Sequence, residues 1–167
     1  MSIINATTVK CAAIQHTNGT NAFTVDSSGR VTYPAQPAFL AYSNAGGETT
    51  YGSGAEFILN LTQTNVGNNY NTSTGRFTAP VSGFYAFSYG IYFYATGQMG
   101  FKRNGSDYRN AGGDDQGLFT IPAVNGIYGT SIKLTLAAND TVSFGWRSGY
   151  SGGVYRPHGW FCGYLVS

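Results

Sequence analysis

Large apolar residues recur at every second position through most of the chain. In the clearest run, Gly83 to Tyr94, one face of an extended strand carries Tyr85, Phe87, Tyr89, Ile91 and Phe93. The other face carries Phe84, Ala86, Ser88 and Gly90 before Tyr92 and Tyr94. Side chains alternate across a strand, so the pattern predicts a bulky face turned into a sandwich interior. The small face suits close approach by a neighbouring strand or subunit. Shorter runs predict strands at Pro37 to Tyr42, Phe57 to Thr62, Met99 to Lys102, Leu118 to Ile121, Gly129 to Leu136, Thr141 to Arg147 and Gly159 to Val166. Asn104-Gly105, between Arg103 and Tyr108, predicts a two-residue hairpin. Roughly eight short strands separated by turn signals predict a sandwich or jelly roll.

The chain divides near Tyr33-Pro34-Ala35-Gln36-Pro37, where two prolines favour a stiff extended connector. Upstream, short alternating stretches run from Thr8 to Ile14, Ala22 to Val25 and Arg30 to Tyr33. Turn signals at Asn18-Gly19 and Asp26-Ser27-Ser28-Gly29 separate them. Two or three such strands cannot bury a core alone, so residues 1–36 must pack on the main domain, on copies of themselves or on another protein. The expected organisation is a stalk or anchor over 1–36 and a head domain over 37–167.

Composition narrows the choice. Only 10% of the 167 residues are charged, while 24 are Gly, 13 Tyr and 11 Phe. Disordered chains are charged and poor in aromatics, and helical bundles do not tolerate this density of Gly, so both are excluded. The net charge is +2 without a basic stripe, which excludes a nucleic-acid partner. No apolar run approaches the roughly 18 residues of a membrane helix, and Met1 to Lys10 does not have the form of a secretory signal. With Met1 as the native start, synthesis is cytoplasmic, and Cys11 and Cys162 are expected to stay reduced.

Catalytic and metal chemistry finds little footing. His16 and His158 stand far apart in sequence and cannot complete a zinc site with Cys11. The Gly/Ser turns at Gly52-Ser53-Gly54 and Ser148 to Gly152 are not the framed Gly-x-Ser-x-Gly of a hydrolase. No catalytic residue and no cofactor is expected. Asp114-Asp115 is the one cation candidate, as part of a calcium site, although two carboxylates fall short of the six to eight oxygens calcium takes. Tyr108-Arg109, Arg147 with Tyr150, and Tyr155-Arg156 pair aromatic and guanidinium groups with flexible Gly and Asn. That composition suits recognition, and aromatic faces beside polar donors suit a glycan. Ordinary surface loops, or loops between subunits, would look the same.

One stretch is specific. Tyr70 to Tyr89 resembles the signature of the complement globular-head (C1q-like) family, with Phe77, Gly83, Tyr85, Phe87 and Tyr89 at its closing positions. Asn65 and Tyr70 occupy the upstream positions, and Leu59 stands where the family usually has Phe, a swap a core tolerates. Pro37 to Tyr42 is similar to the family's first strand and Phe161 to Leu165 to its last. Leu136 to Val142 is similar to its Leu-x-x-Gly-Asp-x-Val turn, with Asn139 in place of Gly. The resemblance covers roughly residues 37–167 and implies a ten-stranded jelly roll of the tumour-necrosis-factor type, assembled as a homotrimer. It also implies that the Asp114-Asp115 loop lies where some members hold calcium.

Surplus aromatic residues support assembly independently, since one small core does not need 26 of them. The expected trimer contacts are Phe39, Tyr42, Trp160 and Tyr164. Residues 14–31 resemble segments of tailed-phage fibre proteins, with Phe23 and Val25 facing a three-fold axis in a β stalk. Together these readings predict a non-enzymatic trimeric virion protein, anchored to other virion proteins through residues 1–36 and exposing its head, with host-surface glycan as the expected ligand. The alternatives are a secreted C1q-like lectin or ligand-binding module, a polysaccharide-cleaving enzyme, and a decoration protein without a ligand.

Overall fold

The computed structural model describes residues 11–109, 118–122 and 124–167, and the Asp114-Asp115 candidate lies outside them. The chain forms two compact units, Met1–Gln36 and Pro37–Ser167.

In the first unit, β1 (Ala13–Gln15), β2 (Asn21–Val25) and β3 (Val31–Thr32) form an antiparallel sheet in that order. Both turn signals close as their residues dictate. Gly19 takes φ 86°, and its N–H donates to the His16 carbonyl at 2.9 Å. Asp26 Oδ1 accepts from the Ser28 and Arg30 backbone N–H groups, and Arg30 Nε donates to Asp26 Oδ2 at 2.7 Å. The Arg30 backbone and side-chain bonds hold the Asp26 carboxyl below its ordinary value. A short Asx-type turn therefore neutralises its own charge.

The described residues of the second unit form twelve strands. They are β4 (Ala38–Tyr42), β5 (Glu48–Tyr51), β6 (Leu61–Asn65), β7 (Tyr70–Asn71), β8 (Arg76–Thr78), β9 (Gly83–Phe93), β10 (Gly97–Arg103), β11 (Ser106–Asp107), β12 (Phe119–Ile121), β13 (Gly126–Leu136), β14 (Thr141–Trp146) and β15 (Gly152–Leu165). One sheet runs β13-β9-β15-β4-β6, with β5 beside the first residues of β15. The other runs β11-β10-β14-β8-β7, with β12 beside the start of β10. The all-β jelly-roll sandwich is the fold the alternation predicted, with short pieces such as β7 and β11 raising the strand count above ten.

The predicted bulky face of β9 is the core. Tyr85, Phe87, Tyr89, Ile91 and Phe93 are all buried. Across the sandwich Tyr89 stacks on Phe144 at 4.6 Å, and Phe39 stacks on Tyr70 at 4.9 Å and Phe77 at 5.1 Å. Offset aromatic stacking adds to the apolar burial that holds the two sheets together.

Each signature position has a local physical cause. The Asn65 side chain accepts from the Tyr70 N–H at 3.0 Å and donates to the Tyr70 carbonyl at 2.9 Å, as a ladder strand would. The Tyr70 hydroxyl donates to the carbonyl of the buried Leu59 at 3.1 Å. A Cβ on Gly83 would lie 2.6 Å from Leu165 Cδ1 and 2.8 Å from the Ser167 carbonyl oxygen, so the closing strand leaves room only for Gly. Asn139 adopts φ 72°, a left-handed conformation that Asn tolerates in place of the family's Gly. Asn104 and Gly105 take φ 53° and 79°, the left-handed pair a two-residue hairpin requires.

Several elements depart from the pattern. The run at Phe57 enters its strand only at Leu61, because Phe57 and Leu59 reach the core from a segment whose backbone meets β14 at Phe57 N–H to Phe144 O, 2.9 Å. The Glu48–Tyr51 strand is polar at its first three positions and pairs along one side, with β15, so its sequence carries little apolar signal. β15 begins at Gly152 rather than Gly159, its register shifting between Tyr155 and Trp160.

A buried ion pair and an aspartate hub seal the second sheet. Lys102 Nζ meets Asp107 Oδ1 at 2.5 Å with the lysine side chain 3% exposed. Burial pushes the Asp107 carboxyl up, but hydrogen bonds from Lys102 and Ser148 outweigh it and leave it below its ordinary value. Asp140 accepts from Asn104, Arg103 and the Ala137 N–H, tying the hairpin turn to the Asn139 turn. The Asn104 bond leads in holding its carboxyl low.

Two outcomes follow. Carboxylates with lowered values contribute fully above the unfolded value of about 4 and lose that contribution as pH falls through their folded values, so stability should drop below pH about 4. Asp107→Asn should flatten that acid limb in urea titrations while costing about 3–5 kcal/mol at neutral pH, because Lys102 is left buried and unpaired. Among the described residues the buried Tyr89 hydroxyl has no hydrogen-bond partner, and burial raises its pKa. Tyr89→Phe should therefore match or exceed the parent stability by up to about 1 kcal/mol; a loss of that size would contradict the unpaired hydroxyl.

Candidate functional site

The face of the β9 sheet turned away from the core is built in rows by the strand register. Lys133, Ala86, Tyr164 and Ala38 align across β13, β9, β15 and β4. The next row is Ser131, Ser88, Cys162 and Leu40, and the third is Gly129, Gly90, Trp160 and Tyr42. Ile127, Tyr92, Tyr155 and Glu48 form a fourth row, through β5. The second and third rows contain no charged residue.

The small residues form a floor and the aromatics form walls. A depression of about 320 Å³ is lined by Ala86, Ser88, Ser131, Lys133, Cys162 and Tyr164. A second, of about 380 Å³, is lined by Ser88, Gly90, Ile127, Gly129, Ser131 and Trp160. Trp160 is 40% exposed, Tyr42 41%, Tyr164 52% and Ile127 58%. These four large apolar side chains stand together rather than scattered, the arrangement that marks an interaction surface. A Cβ on Gly90 would lie 2.8 Å from Trp160 Nε1, so the indole lies across the Gly90 backbone. Cys162 is half-buried among them, and burial pushes its thiol up, which keeps it protonated and a poor nucleophile.

Of the four predicted contact residues, Tyr42, Trp160 and Tyr164 stand on this face. Phe39 does not: alternation within β4 turns it inward, where it packs edge-on to Phe161 at 4.9 Å. Ile127 was missed because its strand begins earlier than the Gly129 boundary suggested.

The predicted recognition residues divide between elements. Tyr108 is half-buried against the core, and its N–H donates to the Phe101 carbonyl at 3.0 Å. Arg109 is exposed just beyond it. Arg147 donates to Gln98 Oε1 at 2.9 Å, and its carbonyl accepts from the Tyr150 N–H, so this pair shapes the turn between β14 and β15. Tyr155 and Arg156 belong instead to the irregular part of β15, where Arg156 Nε donates to Thr49 Oγ1 at 3.0 Å. There Tyr155 gathers Tyr92, Tyr94 and His158, its ring 4.8 Å from the imidazole and 6.4 Å from Tyr94. Only the strand pairing reveals this aromatic group. In the first unit, Phe23 and Val25 share a face with their register partners Ile14 and Val31.

Among the described residues no three His, Cys, Asp or Glu side chains gather as a metal site, and no helix is long and apolar enough to cross a membrane. The geometry is that of a contact surface whose two central rows are uncharged, with Lys133 and Glu48 in the rows that bound it. Gly90→Val should displace the Trp160 indole and shift its fluorescence emission, leaving the circular-dichroism spectrum unchanged; an unshifted emission would contradict the stacking.

Residues 38–166 match the C1q domain family. Among solved structures, the globular domain of zebrafish complement 1qA protein is similar with a TM-score of 0.57 and 20% identity, covering 78% of this chain and 98% of its own. The Eiger TNF from S. frugiperda is similar at 0.55 and 14%, covering 80% and 94%. Murine APRIL at pH 5.0 is similar at 0.52 and 13%, covering 78% and 98%. No curated protein matches the chain. At these identities the structural likeness establishes a common fold, whereas the family match spans most of the sequence: the chain belongs to the C1q domain family.

Proposed function

We propose that this chain is a non-enzymatic homotrimeric structural protein of a phage virion, a knob or appendage whose protomers associate through the outer face of the β9 sheet. The observation that carries the assembly is that face itself, with Trp160, Tyr42, Tyr164 and Ile127 exposed around a floor of Gly, Ser and Ala. Aromatic anchors over small residues give close packing, and the scarcity of charge means little has to be desolvated when the face closes. The first unit, too small a sheet to bury a core alone, serves as the anchor to other virion proteins. The Arg147–Tyr150 turn, away from the rows that close between protomers, is the place for a host-surface glycan, whose apolar ring faces would stack on tyrosine. A leader for export in the full gene would favour a secreted C1q-like ligand-binding module instead.

Sedimentation of the intact chain should give three times 17.8 kDa. Trp160→Asp combined with Tyr164→Asp should yield a folded monomer, since each buried anchor of this kind contributes about 2–4 kcal/mol. A parent monomer, or a trimer that survives both aspartates, would overturn the assembly. Removal of residues 1–36 should abolish incorporation into particles, and retained incorporation would overturn the anchor.

A further inference from the structure

The small sheet of the first unit has two unlike faces. Register places Ile14 opposite Phe23 and Val25 opposite Val31, and the Phe23 ring lies 6.3 Å from Tyr33. Those five residues share one side. On the other, Thr24 pairs with Ala13 and Thr32 in register, the Thr24 and Thr32 hydroxyls are hydrogen-bonded at 2.5 Å, and Gln15 donates to Asn21 at 2.7 Å. Ile14 is 47% exposed, Val31 49% and Tyr33 58%. Strands of three, five and two residues are marginal while that apolar side faces water.

We infer that this cover is the same face of the other copies, so that three small sheets close into a stalk with Phe23 and Val25 of β2 innermost. The inference rests on the proposed trimeric head. Three observations select a second copy as the occupant. The apolar side carries no charge, and the nearby Asp26 and Arg30 satisfy each other at the turn, so identical faces meet without repulsion. Tyr33-Pro34-Ala35-Gln36-Pro37 is all that separates the sheet from β4, a strand of the sheet proposed to assemble. That tether spans at most roughly 17 Å, which presents each small sheet to its mates at an effective concentration on the order of millimolar. Any attachment to a larger particle then falls to the polar outer side or to residues before β1.

The experiment uses the full chain with Cys11→Ser and Cys162→Ser, carrying either Val25→Cys on the apolar side or Thr24→Cys on the other. Mild oxidation should link Val25→Cys into covalent dimers at least tenfold faster than Thr24→Cys, and adding Phe23→Asp should remove that difference. In the unmodified chain, β2 amides should exchange at least tenfold more slowly than in the Trp160→Asp/Tyr164→Asp monomer. Equal linkage at both positions, or equal exchange, with a sedimentation mass of three protomers would overturn the stalk and leave the head assembly standing. A parent mass of one protomer would overturn both.

Discussion

β9 is hydrogen-bonded on both sides, to β13 along its whole length and to β15 along most of it. Its side chains therefore have only two directions, and neither can relax by twisting the strand free. Inward, Tyr85, Phe87, Tyr89, Ile91 and Phe93 fill the sandwich; outward, Ala86, Ser88 and Gly90 leave room above the sheet. A one-residue slip in either ladder would exchange the faces, burying the small residues and exposing five large ones. The core and the proposed contact surface are two consequences of one register.

The second sheet handles its outer side differently. Alternation points Met99 and Phe101 into the core and leaves Lys102 on the other side, where the Ser106–Asp107 strand folds back to supply its carboxylate. Asp140 binds the adjacent turn through Asn104 and Arg103. Charge thus closes locally on one sheet, while the facing sheet keeps uncharged aromatics in the open. A buried ion pair is demanding to desolvate, which favours its use inside one protomer, where geometry is fixed by a hairpin, over use between protomers.

Much of the head was legible in its residues. The bulky period of β9, the Asn104-Gly105 hairpin and the Asn139 turn each depend on short-range chemistry, alternation or a left-handed φ, that adjacent residues announce. Tyr42, Trp160 and Tyr164 were recognisable as surplus aromatics near the termini. Phe39 was indistinguishable from them by composition, and only its parity within β4 sends it inward. β5 escaped because Glu-Thr-Thr-Tyr owes its extended form to pairing with β15 rather than to its own apolar pattern. The Tyr92, Tyr94, Tyr155 and His158 group was hidden for a related reason: a register shift in β15 brings together residues more than sixty positions apart.

The sequence by itself determined the class of fold and the motif that ties residues 38–166 to the C1q domain family, because periodicity, turn chemistry and a spaced aromatic signature are properties of neighbouring residues. Tertiary structure decided which aromatics are structural and which are presented. That choice depends on strand parity, on the pairing of β15 with β4 and β5, and on the space above Gly90 that lets Trp160 lie across the sheet. These are relations between distant segments, fixed only when the ladders close.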